Sequence, residues 1–254
     1  MKQALSILPI ANIPIVQPGG DLALLIGDAL SAANLTVEDG DVVVVAQKIV
    51  SLSENRLVRL DDVDVSPAAE RLAAETDKDP RLVELILRES SAVIRKKPGV
   101  IIARHRLGLV GANAGVDQSN IDHSDGACAL LLPEDPDRSA TALRKALMKA
   151  TGKSLGVVVS DSMNRPWRLG SIGTAIGSAG IAVIDDRCGQ PDLFGRELQA
   201  TVTNQADAIA AAAVLVMGES TERVPAVIVR GLAARDSGQM ARDCIRATAD
   251  DLFL

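Results

Sequence analysis

An α+β fold, with mixed sheets and flanking helices, is what this 254-residue sequence predicts, on three observations. Helical and strand-like segments alternate without a strict strand–helix–strand rhythm, which disfavours a doubly wound parallel sheet. The run Asp41-Val42-Val43-Val44-Val45-Ala46 is continuously apolar and β-branched, the pattern of a strand covered on both faces. Apolar residues at helical spacing recur in residues 21–33 and 207–217. Domains commonly run to roughly 100–200 residues, so the length accommodates one domain of two lobes whose boundary the sequence does not mark.

The elements follow in order. The helix over residues 21–33 ends before the turn Glu38-Asp39-Gly40 and leads into the valine strand. Ser66-Pro67 and Asp79-Pro80 each set a capping side chain before a proline at the first helical position. Leu82, Val83, Leu85, Ile86 and Leu87 give the second of these helices a broad apolar face. Residues 100–103 and 107–110 read as short strands, residues 111–117 as a small-residue loop, and residues 127–132 as a strand. Ser139 is expected to cap a helix reaching Ala150, followed by a buried strand over residues 155–159 that ends in Ser160-Asp161. Gly170, Gly173, Gly177 and Gly180 predict close backbone packing or a turn against a ligand. The helix over residues 207–217 stops at Gly218, residues 226–229 form a strand, and residues 239–252 a final helix.

Composition excludes several function classes. Trp167, Phe194 and Phe253 are the only aromatics, too few for base-stacking platforms. A net charge of −6 lacks the basic footprint of a nucleic-acid binder. No window approaches the ~20 apolar residues that cross a bilayer, and MKQALSILPI lacks the features of a signal peptide, so a cytoplasmic address is expected. Cys128, Cys188 and Cys244 are odd in number and widely spaced, as reduced thiols are.

Several motifs dissolve on inspection. Gly152-Lys153-Ser154 resembles the end of a P-loop, but Leu147 stands where the first glycine is required, so it reads as a helix stop. His105 and His123 are far apart and form no zinc pair, and no serine lies on a nucleophile elbow. Carboxylates carry more chemistry. Asp117 in its small-residue loop, Asp161 beside Ser162, and Glu219 past a helix cap are hard oxygen ligands of the kind Mg²⁺ or Mn²⁺ takes. Taken alone, these acids serve equally as turn-formers or caps. Arg165, Trp167 and Arg168, and Arg230 before Gly231, suit oxyanion clamping or surface pairing.

Taken together, the segments resemble the coenzyme F-420:L-glutamate ligase family, also called F-420-0:gamma-glutamyl ligase, over almost the whole chain. The resemblance rests on the run from Gly40 through Gln47-Lys48-Ile49-Val50-Ser51, on Asn113-Ala114-Gly115-Val116-Asp117-Gln118-Ser119-Asn120, and on Leu131-Leu132-Pro133-Glu134-Asp135-Pro136-Asp137. It continues through Ser160-Asp161-Ser162, Arg165-Pro166-Trp167-Arg168, Ala175-Ile176-Gly177, residues 192–198 and Val216-Met217-Gly218-Glu219. It implies a GTP-dependent enzyme that attaches L-glutamate to the deazaflavin precursor F-420-0, with an α+β fold and an intertwined homodimer. Two Mg²⁺ or Mn²⁺ ions are then expected on Asp117, Asp161, Ser162 and Glu219. GTP is expected on Ala11, Asn12, Ile13 and Pro14, on Ala46 and Gln47, on Asn120, and on Met217, Gly218, Glu219, Ser220, Thr221, Glu222, Arg223 and Val224.

The chain departs from the family pattern at four places. Leu52 replaces a lysine near the nucleotide, Glu54-Asn55-Arg56 replaces Glu-Gly-Arg, Ser162 replaces threonine, and Met163-Asn164 replaces a small or aromatic pair. These leave two further readings open: a related amide ligase for another phosphorylated acid, and a non-catalytic nucleotide-binding paralogue.

Overall fold

The computed structural model describes residues 4–164, 166–232 and 236–251. Along the chain run β1 (Ser6–Pro9), α1 (Leu22–Ala32), β2 (Val42–Ala46), α2 (Gln47–Ser53) and β3 (Leu57–Arg59). Next come α3 (Pro67–Thr76), α4 (Pro80–Glu89), β4 (Ser90–Lys97), β5 (Val100–His105), β6 (Val110–Ala112) and β7 (Cys128–Leu130). The last part holds α5 (Pro136–Thr151), β8 (Gly156–Asn164), β9 (Ser171–Ala179), β10 (Ile184–Asp186), β11 (Val202–Asn204), α6 (Gln205–Met217) and β12 (Ala226–Arg230). This is an α+β fold with mixed and antiparallel sheets.

The central sheet has the order β1-β12-β2-β8-β9. β2 and β8 are parallel, and the other neighbours are antiparallel. Val43, Val45, Val157 and Val159 enter one core with Ile26, Leu30, Leu143 and Leu147 of α1 and α5. Val42, Val44 and Val158 enter another with Ile209, Ala210 and Ala213 of α6. Both faces of β2 are therefore buried, the physical reason its valines run without a polar break. A further core gathers α3, α4 and β5 around Leu72, Val83, Ile86 and Ile101, and all of its buried members lie between Leu60 and Leu131.

The starts of α3 and α4 fall where the caps predict, with Ser66 and Asp79 each accepting a first-turn N–H, and the structure adds Asp21 as the cap of α1. Other boundaries differ. α5 starts at Pro136 with Asp135 as its cap, so Ser139 lies inside the helix, where its hydroxyl binds Glu54 and the Asp135 carbonyl. Residues 107–109 turn between β5 and β6, with Leu107 N–H donating to the His105 ring. The expected final helix is replaced by short 3₁₀ turns at Ala241–Cys244 and Thr248–Asp250, and Leu252 lies outside the described residues. The first turn is fixed by Asp137, which accepts N–H groups of Ala241 and Arg242. That tertiary anchor outweighs weak local helix preference.

The glycines of β9 settle their two readings in favour of packing. A β-carbon on Gly173 would overlap the Ala210 carbonyl of α6, and one on Gly177 would overlap the Pro136 carbonyl of α5. Helices thus press on this strand at backbone distance. Gly177→Ala is expected to destabilise the protein by roughly 1–3 kcal/mol or more, because the neighbour is backbone and cannot rotate away. A urea midpoint equal to that of the parent would contradict this packing.

Candidate active site

The candidate residues reach one edge of the central sheet by topology. β1, β2 and β8 run in the same direction, and β12 runs against them. The ends of β1, β2 and β8 therefore meet the start of β12 at one edge. Residues 11–14 leave β1 there, Gln47 and Lys48 leave β2, Asp161 and Ser162 lie on β8, and residues 217–224 lead into β12.

Asp161 is not at the end of its strand. β2 stays paired with β8 only to Ala46↔Ser160, after a shift in the β8–β9 register between Val159 and Ser160. Beyond it β8 and β9 continue as a two-stranded ribbon to Asn164↔Ser171. The polar Ser160-Asp161-Ser162 run hides this continuation from an apolar pattern, although Met163 of the ribbon still packs against the first core. Asp161 still sits at the carboxyl edge of the parallel pair, where ligands of α/β sheets commonly bind.

Asp117 arrives from the other core through Asn113, Ala114 and Gly115, with φ of 52°, 51° and 74°. Three left-handed residues in succession are costly for all but glycine, with asparagine the mildest exception, and alanine bears strain here. The turn is locked by paired backbone hydrogen bonds between Asp117 and Leu130. The Asp117 carboxylate then accepts Ser119 N–H at 2.8 Å, Ser119 Oγ at 2.9 Å and the Lys48 ammonium. Burial works to raise its pKa, but the Lys48 and Ser119 bonds outweigh it and hold the group below the usual carboxylate range.

Asp161 behaves in the opposite way. Burial pushes its carboxyl up to about 7, and the nearby Asp117 and Glu219 add to the rise against Ser162 N–H and Lys48. Ser162 Oγ donates to Glu219 at 2.7 Å, so β8 and the loop after α6 are joined directly. Glu219 follows Gly218, whose φ of 72° ends α6. Asp117, Asp161, Ser162 and Glu219 thus lie in one neighbourhood. Among the described residues, no three His, Cys, Asp or Glu side chains stand close enough to form a ready-made metal cage.

The expected nucleotide segments flank this cluster. Ala11 and Asn12 open the turn after β1, with Asn12 at φ 61°, while Ile13 is buried and Pro14 exposed. Ala46 N–H donates to the Pro225 carbonyl, which ties β2 to the strand that follows residues 217–224. Gln47 is buried and accepts Ser51 Oγ at 2.9 Å, so its side chain faces its own helix. Met217 is buried, and Ser220, Thr221, Glu222 and Arg223 are exposed before the half-buried Val224. Asn120 is exposed at φ 53°.

Two of the departures, Leu52 and the Glu54-Asn55-Arg56 run, make contacts within the fold. Leu52 packs against the first core, and its carbonyl accepts Gly19 N–H. Asn55 adopts φ 57°, a backbone asparagine tolerates. Arg56 pairs with Glu89 at 2.9 Å and donates to the Leu132 carbonyl. Trp167 and Arg168 are exposed between β8 and β9, and Arg165 lies outside the described residues. Arg230 is committed to Asp41 and Glu38. The residue that residue-type reasoning missed is Lys48. Its only signal was its place one residue past Gln47.

Residues 11–231 match the family model described as F420-0:Gamma-glutamyl ligase. The chain belongs to this family. The F420-0:gamma-glutamyl ligase match spans both the central-sheet edge and the Asp117 loop. A coenzyme F420:L-glutamate ligase of Methanopyrus kandleri is 44% identical over 97% of each chain. Ligases of the same name from Methanothermobacter thermautotrophicus and Methanocaldococcus jannaschii are 46% and 42% identical, over 89% and 87% of each chain. Among the described residues of this family member, no helix is long and apolar enough to cross a membrane.

Proposed function

We propose that this chain is a GTP- and divalent-metal-dependent ligase that joins L-glutamate to F-420-0 in coenzyme F-420 biosynthesis. The observation that carries the reading is the convergence of Asp117, Asp161, Ser162 and Glu219 at one sheet edge in a chain of this family. Their donors are hard oxygens, and Asp161 is pushed up to about 7 first by burial and then by neighbouring carboxylates. Such a site is short of positive charge, which fits Mg²⁺ or Mn²⁺. Asp117, Asp161, Ser162 Oγ and Glu219 would hold two ions. When bound, these supply the charge that lets terminal phosphates approach a carboxylate.

Asp117 is kept ionised by Lys48 and Ser119, which suits a ligand and makes it a poor general base at neutral pH. The segments at residues 11–14 and 217–224 border the same edge and supply the nucleotide's surroundings. In the reaction, a carboxylate oxygen of F-420-0 takes the γ-phosphoryl group and GDP leaves. The glutamate amine then attacks the acyl carbon, phosphate leaves, and an amide remains. Trp167, Leu169, Leu193 and Phe194 are 89%, 104%, 91% and 90% exposed, which supports a second copy of the chain covering them.

One preparation tests the reading. With GTP, Mn²⁺, L-glutamate and F-420-0, the expected outcome is GDP and a glutamylated product by mass spectrometry, from a particle of twice the 26.5 kDa chain by light scattering. GDP formed only with a different phosphorylated acid would favour the reading that Met163-Asn164 raises. Nucleotide binding without hydrolysis would leave a non-catalytic paralogue, and a particle of 26.5 kDa would refute the dimer.

A further inference from the structure

We infer that Lys48 is the resident counter-cation of the metal locus, and that metal loading displaces its ammonium from Asp117. The inference rests on the reading of Asp117, Asp161 and Glu219 as metal ligands. An ammonium has three protons to place. Here three oxygens face Lys48 Nζ: the Asp117 carboxylate, the Ser119 carbonyl at 3.0 Å and Ser119 Oγ at 3.1 Å. Carboxylate, carbonyl and hydroxyl oxygens are also the donors a hard divalent cation takes.

The seat is built into the fold. Lys48 is the second residue of α2, which follows β2 directly with Ala46 as its cap, so the root of its side chain is fixed by the central sheet. Its side chain is 26% exposed, and its charge also lowers the pKa of Asp161 across the cluster. Lys48 on Asp117 Oδ2 therefore opposes a dication on the same carboxylate, because two cations at contact distance repel strongly in a partly buried site. The lysine stabilises the metal-free loop and opposes the metal, as a competing internal ligand must. It is a positioning residue.

The test uses the full chain and Mn²⁺ alone, followed by electron paramagnetic resonance. Lys48→Met is expected to bind Mn²⁺ about tenfold more tightly than the parent. In the parent, acylation of Lys48 by an amine reagent, read by mass spectrometry, is expected to rise several-fold on adding Mn²⁺ while other lysines keep their rates. Equal or weaker Mn²⁺ binding by a folded Lys48→Met, or Lys48 acylation unchanged by bound Mn²⁺, would overturn displacement and leave the metal reading standing. No Mn²⁺ uptake by the parent would overturn both. If Lys48→Met does not fold, the acylation of the parent decides.

Discussion

Asp161→Asn is expected to lower turnover by on the order of 10³-fold or more, since the electrostatic service of a bound metal is worth several kcal/mol. The same change is expected to stabilise the metal-free protein above neutrality. Asp161 is raised to about 7 from an ordinary 3.8, mainly by burial. Between those values the folded chain keeps a proton that the unfolded chain has released. The group's contribution is thus full below the ordinary value and is lost as pH rises through about 7, with a slope of up to roughly 1.4 kcal/mol per pH unit. Asparagine cannot titrate. In chelator, the variant should melt above its parent at pH ~8 and close to it at pH ~4, from the same linkage. Identical pH profiles for the two melting curves would sink this account of Asp161, and full activity with excess Mn²⁺ would sink its role as ligand.

The second large effect is expected at Glu89, in a charged cluster that ties Arg56, after α2, to the ends of α4 and β5. Glu89 accepts from Arg56 at 2.9 Å and the His105 ring at 3.1 Å, and lies 3.4 Å from Arg106. Burial opposes its ionisation, yet His105, Arg56 and Arg106 hold it down at about 2. Arg56 leaves the α2 side of the molecule, while Glu89 ends α4 and His105 ends β5. Glu89→Gln removes the buried counter-charge of Arg56 and Arg106 and should cost roughly 3 kcal/mol at neutral pH. For a depressed carboxylate the stabilisation is present above its ordinary value of 4.5 and lost as pH falls toward about 2. The difference in urea midpoint between parent and variant should therefore be full at pH ~7 and shrink steadily below pH ~4. A difference that stays constant on acidification would show that the charge of Glu89 is not what holds the cluster together.

Much of the frame was legible from residue types, because local rules governed it. The valine run of β2, the Ser66 and Asp79 caps and the Gly152 stop are short-range signals that no distant contact reverses. The failures share a cause. Ser139 reads as a cap, but Asp135 and Pro136 take that role and Glu54 takes its hydroxyl. Residues 239–252 read as helical, but Asp137, more than a hundred positions earlier, fixes the backbone otherwise.

The site divides in the same way. The sequence determined the α+β class, the strand and cap positions, and through its motifs the family and the identity of Asp117, Asp161 and Glu219 as candidates. Only the tertiary structure decided that Asp161 stands on a ribbon beyond the sheet, that Gly173 and Gly177 serve packing, and that Lys48 sits on Asp117. Lys48 and Asp117 are 69 positions apart. Periodicity and capping act over a few residues, whereas a lysine's reach into an acidic cluster is set by how the chain returns to one sheet edge.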